Sequence, residues 1–276
     1  MFYLGGILPL VLAVVLFKVL PESVQFLSVR GDDPRRIAAI LKRMAPDLSD
    51  ESLGRLRARE ERRPGLPVKH LFTEGRALGT VLLWVPYFMN LLIIYFIVSW
   101  LPGLLRQAAM PISAGVTAIS MFSLGGVIGS LVEGRMMNVW GAYGVLLVEF
   151  VLSTLLVASL AFLGALFPLM MAVTLVLGIV VQGAQAGLNA LAATFYPTAV
   201  RSTGVGWALG VGRVGSIVGP ILAGMLLKLE WTPQQVFLAG AAPASVAAAA
   251  VLVSHWLRRN ATVFHAPPER RGTEAA

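Results

Sequence analysis

Seven long apolar stretches divide this chain, at about 2–20, 77–101, 113–132, 143–163, 168–191, 203–227 and 234–257. A helix needs roughly 20 mostly apolar residues to cross a bilayer, and each stretch has about that length. None alternates with the period of two that a barrel strand requires. Charged residues make up only 13% of the chain, about half the share usual in a soluble protein. The fold class predicted is therefore an all-α integral membrane protein with seven transmembrane helices. The limits of the runs set the expected domains: 1–20 a transmembrane helix, 21–75 a linker, 76–257 a six-helix bundle and 258–276 a tail.

Basic residues fix the expected orientation. Of 22 Lys and Arg residues, all but Arg106, Arg213 and Lys228 lie in or beside alternate loops, and such loops face the cytoplasm. This predicts a multi-pass protein of the cell inner membrane, N-terminus outside, linker and C-terminus cytoplasmic. The net charge of +8 is then a matter of topology and implies no nucleic-acid partner. There is no cysteine, which excludes disulfides and thiolate metal sites. The first run has neither a charged n-region nor a small-residue cleavage site, so it reads as a span rather than a removable signal. A chain that starts outside, with Met1 directly against a span, looks incomplete. Met1 is expected not to be the start of the ancestral protein.

Within the linker, Pro21-Glu22-Ser23 ends the first span and Asp33-Pro34 is a helix-start signal. Ile37, Ile40, Leu41 and Met44 recur at helical spacing before Pro46, predicting a short amphipathic helix. It is read as a solvated helix on the bilayer surface, or as a contact to anionic lipid or between halves of the protein.

Several polar residues interrupt the apolar runs, where each must find protein or water as partner. Arg213 lies about ten residues into its span, so about 15 Å deep. Its forked donors suit a carboxylate. It is read as binding a substrate carboxylate or controlling a proton site, or as a structural Arg paired with an acid or with carbonyls. Glu149 is the one carboxylate well inside a predicted span. It is read as a proton carrier, or as a snorkelling or structurally paired group. Gln182, Gln185 and Asn189 follow one another at three and four residues and share a face, read as a cavity wall or as interhelical glue. Tyr87 and Asn90 share another face with Trp84 and would suit an aromatic ligand. Trp100, beside Pro102, reads as an interface anchor. Glycines spaced by four at 125/129, 183/187, 206/210 and 215/219 predict close helix contacts.

The most specific stretch is Phe195-Tyr-Pro-Thr-Ala-Val-Arg-Ser-Thr-Gly204, followed by the glycine-laced run from Val205 through Arg213 to Pro220. It resembles the loop and helix after the tenth span of major facilitator transporters, and among these it is most similar to the aromatic-acid:proton symporters. The long linker before six spans, and the Pro-Glu-Ser ending of the first, fit the same family from its sixth span onward. The resemblance implies seven helices corresponding to spans 6–12. It implies a secondary transporter, not an enzyme, taking up small aromatic acids with protons by alternating access and using no cofactor. Its partners would be the cargo, protons and the lipid bilayer.

Gly129-Ser-Leu-Val-Glu133-Gly-Arg135 resembles the family's Gly-x-x-x-Asp-Arg loop signature, with Glu for Asp and Gly134 interposed. The resemblance implies an acid–base latch across the cytoplasmic ends of neighbouring helices, and Arg201, in the other inside turn, is read as a partner for Glu133. Ordinary anchoring by basic loop residues is the other reading. The candidate residues are thus Arg213, Gln182, Gln185, Asn189, Tyr87 and Asn90 for cargo, and Glu133, Arg135, Arg201 and Glu149 for proton coupling or gating. Three alternatives remain open: a non-transporting remnant, a half-carrier that needs a separate N-terminal half, and a transporter of other organic anions or sugars. A seven-span retinal protein is excluded, since no lysine lies deep in any span.

Overall fold

A computed structural model describes residues 67–264, apart from 74, 108–109 and 164–165, together with 7 and 10–16. The chain divides into two compact units, Met1–Arg63 and Pro64–Ala276. Of the first, only residues 7 and 10–16 are described, and they are helical. The amphipathic helix expected after Asp33-Pro34 lies outside the described residues, as does the linker up to 66.

The second unit opens with a short 3-10 turn, Pro67–Leu71, and continues as six helices. We label them α1 (Ala77–Gln107), α2 (Ile112–Trp140), α3 (Ala142–Leu160), α4 (Phe167–Phe195), α5 (Thr198–Lys228) and α6 (Pro233–Phe264). All six are long and apolar enough to cross a membrane. The described residues contain no strand.

Local sequence explains most of the boundaries. Gly141, with φ of +82°, is the single residue between α2 and α3, and its N–H closes onto the Met137 carbonyl at 3.0 Å. Few L residues other than glycine adopt that φ. Tyr196 is extended ahead of Pro197, the conformation favoured before proline, and this stops α4. At the start of α6, the Thr232 N–H donates to Gln235 Oε1 at 2.9 Å, and the Gln235 N–H donates to Thr232 Oγ1 at 3.4 Å. This is a reciprocal capping box with Pro233 at the first helical position.

Several helix ends differ from expectation: α4 runs on to Phe195, α5 starts already at Thr198 and α6 runs to Phe264, and two further ends bear on the predicted turns. α1 continues through Pro102 to Gln107, where a turn was predicted from 102. α2 continues through Glu133 and Arg135 to Trp140, where a loop was predicted from 133. Neither segment ends its helix. A proline inside a helix removes one hydrogen bond and can kink the helix without ending it, and Glu133–Trp140 has no proline at all. A helix can outlast its apolar stretch.

The bundle is built on two parallel pairs, α2 with α4 and α1 with α5, while α6 packs on α3 and α1. Both pairs meet backbone to backbone at glycine. A Cβ added at Gly125 would run into the Leu175 carbonyl, one at Gly129 into that of Ile179, and one at Gly178 into that of Phe122. On the other seam, a Cβ at Gly215 would strike the Phe88 carbonyl, and one at Gly219 would lie 2.5 Å from that of Leu92. Lipid tails are as apolar as leucine, so such helices associate through close packing rather than by escaping water. The fourth predicted pair is different: nothing lies within 4 Å of a Cβ at Gly206 or Gly210. Trp100 is also more than a surface anchor, for its Nε1 donates to the Pro220 carbonyl at 2.9 Å and ties α1 to α5.

These seams predict a sharp contrast between glycines. Gly125→Ala or Gly178→Ala should lower the melting temperature of the purified protein, at a cost of about 1–3 kcal/mol from overpacking. Gly206→Ala should leave it unchanged or slightly raised. Thermal unfolding of the three variants in one detergent checks this.

Candidate functional site

α1 and α4 are joined by a ladder of polar side chains. Tyr87 and Asn90 are fully buried. Tyr87 Oη donates to Asn189 Oδ1 at 3.0 Å. Asn90 Nδ2 donates to Gln185 Oε1 at 3.1 Å and to the Val181 carbonyl at 3.1 Å. Three residues of separation on α1 meet four on α4, which puts both rungs on facing sides of the two helices. Asn90 Oδ1 is buried without a partner. Asn189 is exposed and Gln185 half-buried, so the ladder runs from the packed interior to an open surface.

Gln182 does not belong to this ladder. It turns to α2, where its Nε2 donates to the Phe122 carbonyl at 3.2 Å and its amide fills the space beside Gly126. Three residues along a helix leave an offset of about 60°. That is enough to carry Gln182 from the α1 side of α4 to the α2 side. Gln182 is therefore a strut between helices, which corrects its grouping with Gln185 and Asn189.

Arg213 stands on the open face of α5, exposed, with Nη1 donating to Tyr95 Oη of α1 at 3.1 Å. Among the described residues no carboxylate pairs with it. Where the structural reading put an acid or carbonyls, the described partner is a neutral tyrosine. Toward the start of the same two helices, Trp84 and Trp207 stack with ring centroids 6.1 Å apart and planes inclined by 16°. Phe72 meets Trp84 edge-on at 5.5 Å. Trp207 was not a candidate from sequence. It sits in a glycine-rich run whose facing helix is not legible without the packing.

Of the two acidic candidates, Glu149 lies inside α3 and Glu133 lies inside α2, where a loop was predicted. Glu133 is 2% and Glu149 6% exposed. Both converge on a recess in α4. A Cβ on Gly183 would lie 2.9 Å from Glu149 Oε1 and 3.5 Å from Glu133 Oε2, and a Cβ on Gly187 would run into Glu133 Oε1. Neither oxygen of Glu133 has a hydrogen-bond partner, and neither does Glu149 Oε2. The expected contact of Glu133 with Arg201 is not formed. Arg201 is exposed on the first turn of α5 with Nε donating to the Tyr196 carbonyl at 3.4 Å. Arg135 is exposed as well. Because α2 continues as a helix, position 133 faces inward while position 135 faces out. Glu149 is buried rather than snorkelling, meets no cation among the described residues, and shares the recess at Gly183 with Glu133.

A separate cavity of about 450 Å³ opens between the start of α1 and the ends of α4 and α6. Leu78, Leu82, Leu188, Leu191 and Phe195 make it apolar, with Tyr143 and Arg258 among its lining residues. Arg258 Nη1 donates to Tyr143 Oη at 3.3 Å. None of the predicted site residues lines this cavity.

Comparison with known proteins supplies the context. The model of the Major Facilitator Superfamily matches residues 118–276. A gallate transporter of Pseudomonas putida is 35% identical over 258 residues, 94% of this chain and 57% of the relative. A 4-hydroxybenzoate transporter of Pseudomonas aeruginosa is 36% identical over 254 residues, 91% of this chain and 56% of the relative. A benzoate transport protein of Acinetobacter baylyi is 38% identical over 248 residues, 88% of this chain and 52% of the relative. The chain thus spans a little over half the length of the curated relatives it matches.

The ladder makes a ranked prediction. Tyr87→Phe removes one bond to an exposed acceptor and should cost about 0.5–1.5 kcal/mol. Asn90→Ala removes two bonds at a fully buried site and should cost more. Melting curves of the two variants test the order, and equal or reversed effects would contradict the ladder.

Proposed function

The chain belongs to the major facilitator superfamily, and we propose that it is the C-terminal portion, from the sixth span onward, of a proton-coupled carrier for small aromatic carboxylic acids. The observation that carries this reading is Arg213. A mid-helix guanidinium stands open on α5, held by a tyrosine hydroxyl rather than by an acid. A charge at that depth is costly against lipid, and it belongs at a cavity or a protein contact. One of its donors is spent on Tyr95, and the others suit a carboxylate in forked geometry. The stacked Trp84 and Trp207 offer ring faces nearby in sequence on the same two helices, and Gln185 and Asn189 offer an amide edge for a phenolic hydroxyl. Relatives named for gallate, 4-hydroxybenzoate and benzoate transport support the cargo class.

In this reading the cargo binds near the middle of the membrane between two halves that rock about it. Uptake is driven by the inward proton gradient. The protein sits in the inner membrane with its N-terminus outside and its C-terminus in the cytoplasm. Arg135 and Arg201, exposed at the cytoplasmic ends of α2 and α5, act in gating by binding across helix ends or by anchoring them.

A second reading is favoured by the exposed face of α5. That helix is the least buried of the six, with 22% of its apolar window covered, and Val214, Ile217, Ile221 and Met225 are open beside Arg213. Such a face needs a facing surface to complete a cavity. The chain would then be a half-carrier acting with a separate N-terminal half, or a remnant that no longer transports.

Uptake of labelled 4-hydroxybenzoate into cells, by the chain alone and beside a family N-terminal half, tests these readings. Uncoupler-sensitive uptake is expected, and Arg213→Ala should reduce it by about 100-fold or more, the scale of losing a charge-assisted contact. Uptake unchanged by Arg213→Ala would remove the carboxylate role. No uptake of any aromatic acid in either arrangement, with the protein inserted, would leave the remnant reading.

A further inference from the structure

We propose that Glu133 and Glu149 form one proton-binding site, two carboxyls holding a single proton between α2, α3 and α4. Four observations meet at this place. The two side chains come from different helices and are 2% and 6% exposed. Their oxygens converge on Gly183 and Gly187, where a side chain on either glycine would displace them. Three of the four carboxyl oxygens have no hydrogen-bond partner. Ser153, fully buried and one helical turn beyond Glu149 on α3, also has an unpartnered hydroxyl. These are the only two buried carboxyls among the described residues.

Among the described residues no cation offsets them. α4 carries no titratable side chain along its whole length. On α2 the nearest charge, Arg135, is exposed. On α3, Tyr143 takes a hydrogen bond from Arg258 of α6, and its ring lies against His255 of the same helix. On α1, Tyr87 is committed to Asn189. Two carboxylates side by side in an apolar interior repel with little screening, and two carboxyls in that position share a proton instead. The shared proton supplies the missing donor: the protonated oxygen of one donates to an oxygen of the other, so the pair closes on itself.

The recess is what distinguishes this site from two stranded acids. Without Gly183 and Gly187, α4 would fill the space into which both carboxyls project. In the transport reading, on which this last step rests, loss of the proton to water leaves two facing carboxylates without a counter-ion. Helices α2 and α3 must then part or admit water, and rebinding of the proton closes them on α4. Glu149 lies seven residues from the start of α3, about 10 Å along the helix, so the predicted topology puts the site on the cytoplasmic side of the bundle.

Infrared spectroscopy of the full chain in lipid nanodiscs tests the site without any cargo. Near neutral pH the wild type should display the carbonyl stretch of a protonated carboxyl, downshifted in heavy water. Glu133→Gln and Glu149→Gln should each abolish the band, because the new amide donates to the remaining carboxylate and no proton is needed. Glu133→Asp, which keeps the acid but shortens its reach, should keep the band and shift it. Helical circular dichroism verifies that the variants are folded. Absence of the band in the wild type overturns the proposal, whatever the variants do. Its persistence in either Gln variant overturns the sharing of one proton. The measurement uses no substrate, so the band and the uptake of aromatic acids can fail independently of each other.

Discussion

Backbone contact at glycine is the interaction on which the rest of this bundle depends. Where Gly125, Gly129 and Gly178 bring α2 and α4 together, carbonyl groups occupy the positions that side chains would need. Where Gly215 and Gly219 do the same for α1 and α5, the register of Arg213 against Tyr95 and of Trp207 against Trp84 is fixed as a result. In lipid there is no water to escape, so shape complementarity carries the association. The polar features of the protein lie on the faces or in the gaps of these closely packed pairs.

The polar residues divide by what surrounds them. Tyr87 donates to Asn189 and Asn90 to Gln185 across α1 and α4, and Gln182 donates to a carbonyl of α2. Those are settled contacts of the kind any membrane helix needs for its polar groups. Arg213 and the two glutamates are not settled in the same sense. The first is open and uncompensated by any described acid, and the others are enclosed and uncompensated by any described base. Function in a membrane protein gathers at such places, since an uncompensated charge inside a bilayer is kept only for a use.

Sequence made the helices legible but not their partners. Hydropathy located all six spans of the second unit, because about 20 apolar residues in succession have few other fates. It misjudged the end of α1 at Pro102 and the end of α2 at Glu133, because apolar length measures the membrane, not the helix. Periodicity put Gln182 with Gln185 and Asn189, and an offset of about 60° sent it elsewhere. The burial of Glu133 was out of reach altogether. It depends on two glycines fifty and more residues away on another helix, whose spacing is visible in the sequence but whose neighbours are not. Arg213 was legible as a mid-span charge, whereas its partner, Tyr95, was one of several aromatic residues on α1 with nothing to single it out.

The stacked indoles of Trp84 and Trp207 have a consequence of a different kind. Two such rings nearly parallel, with centroids 6.1 Å apart, share their electronic excitations, and the pair absorbs left and right circularly polarised light unequally. One ring belongs to α1 and the other to α5, so the protein contains an optical gauge of that seam. A sliding of one helix past the other by a fraction of a turn would dim or invert the signal, and the motion could be followed in the unlabelled chain.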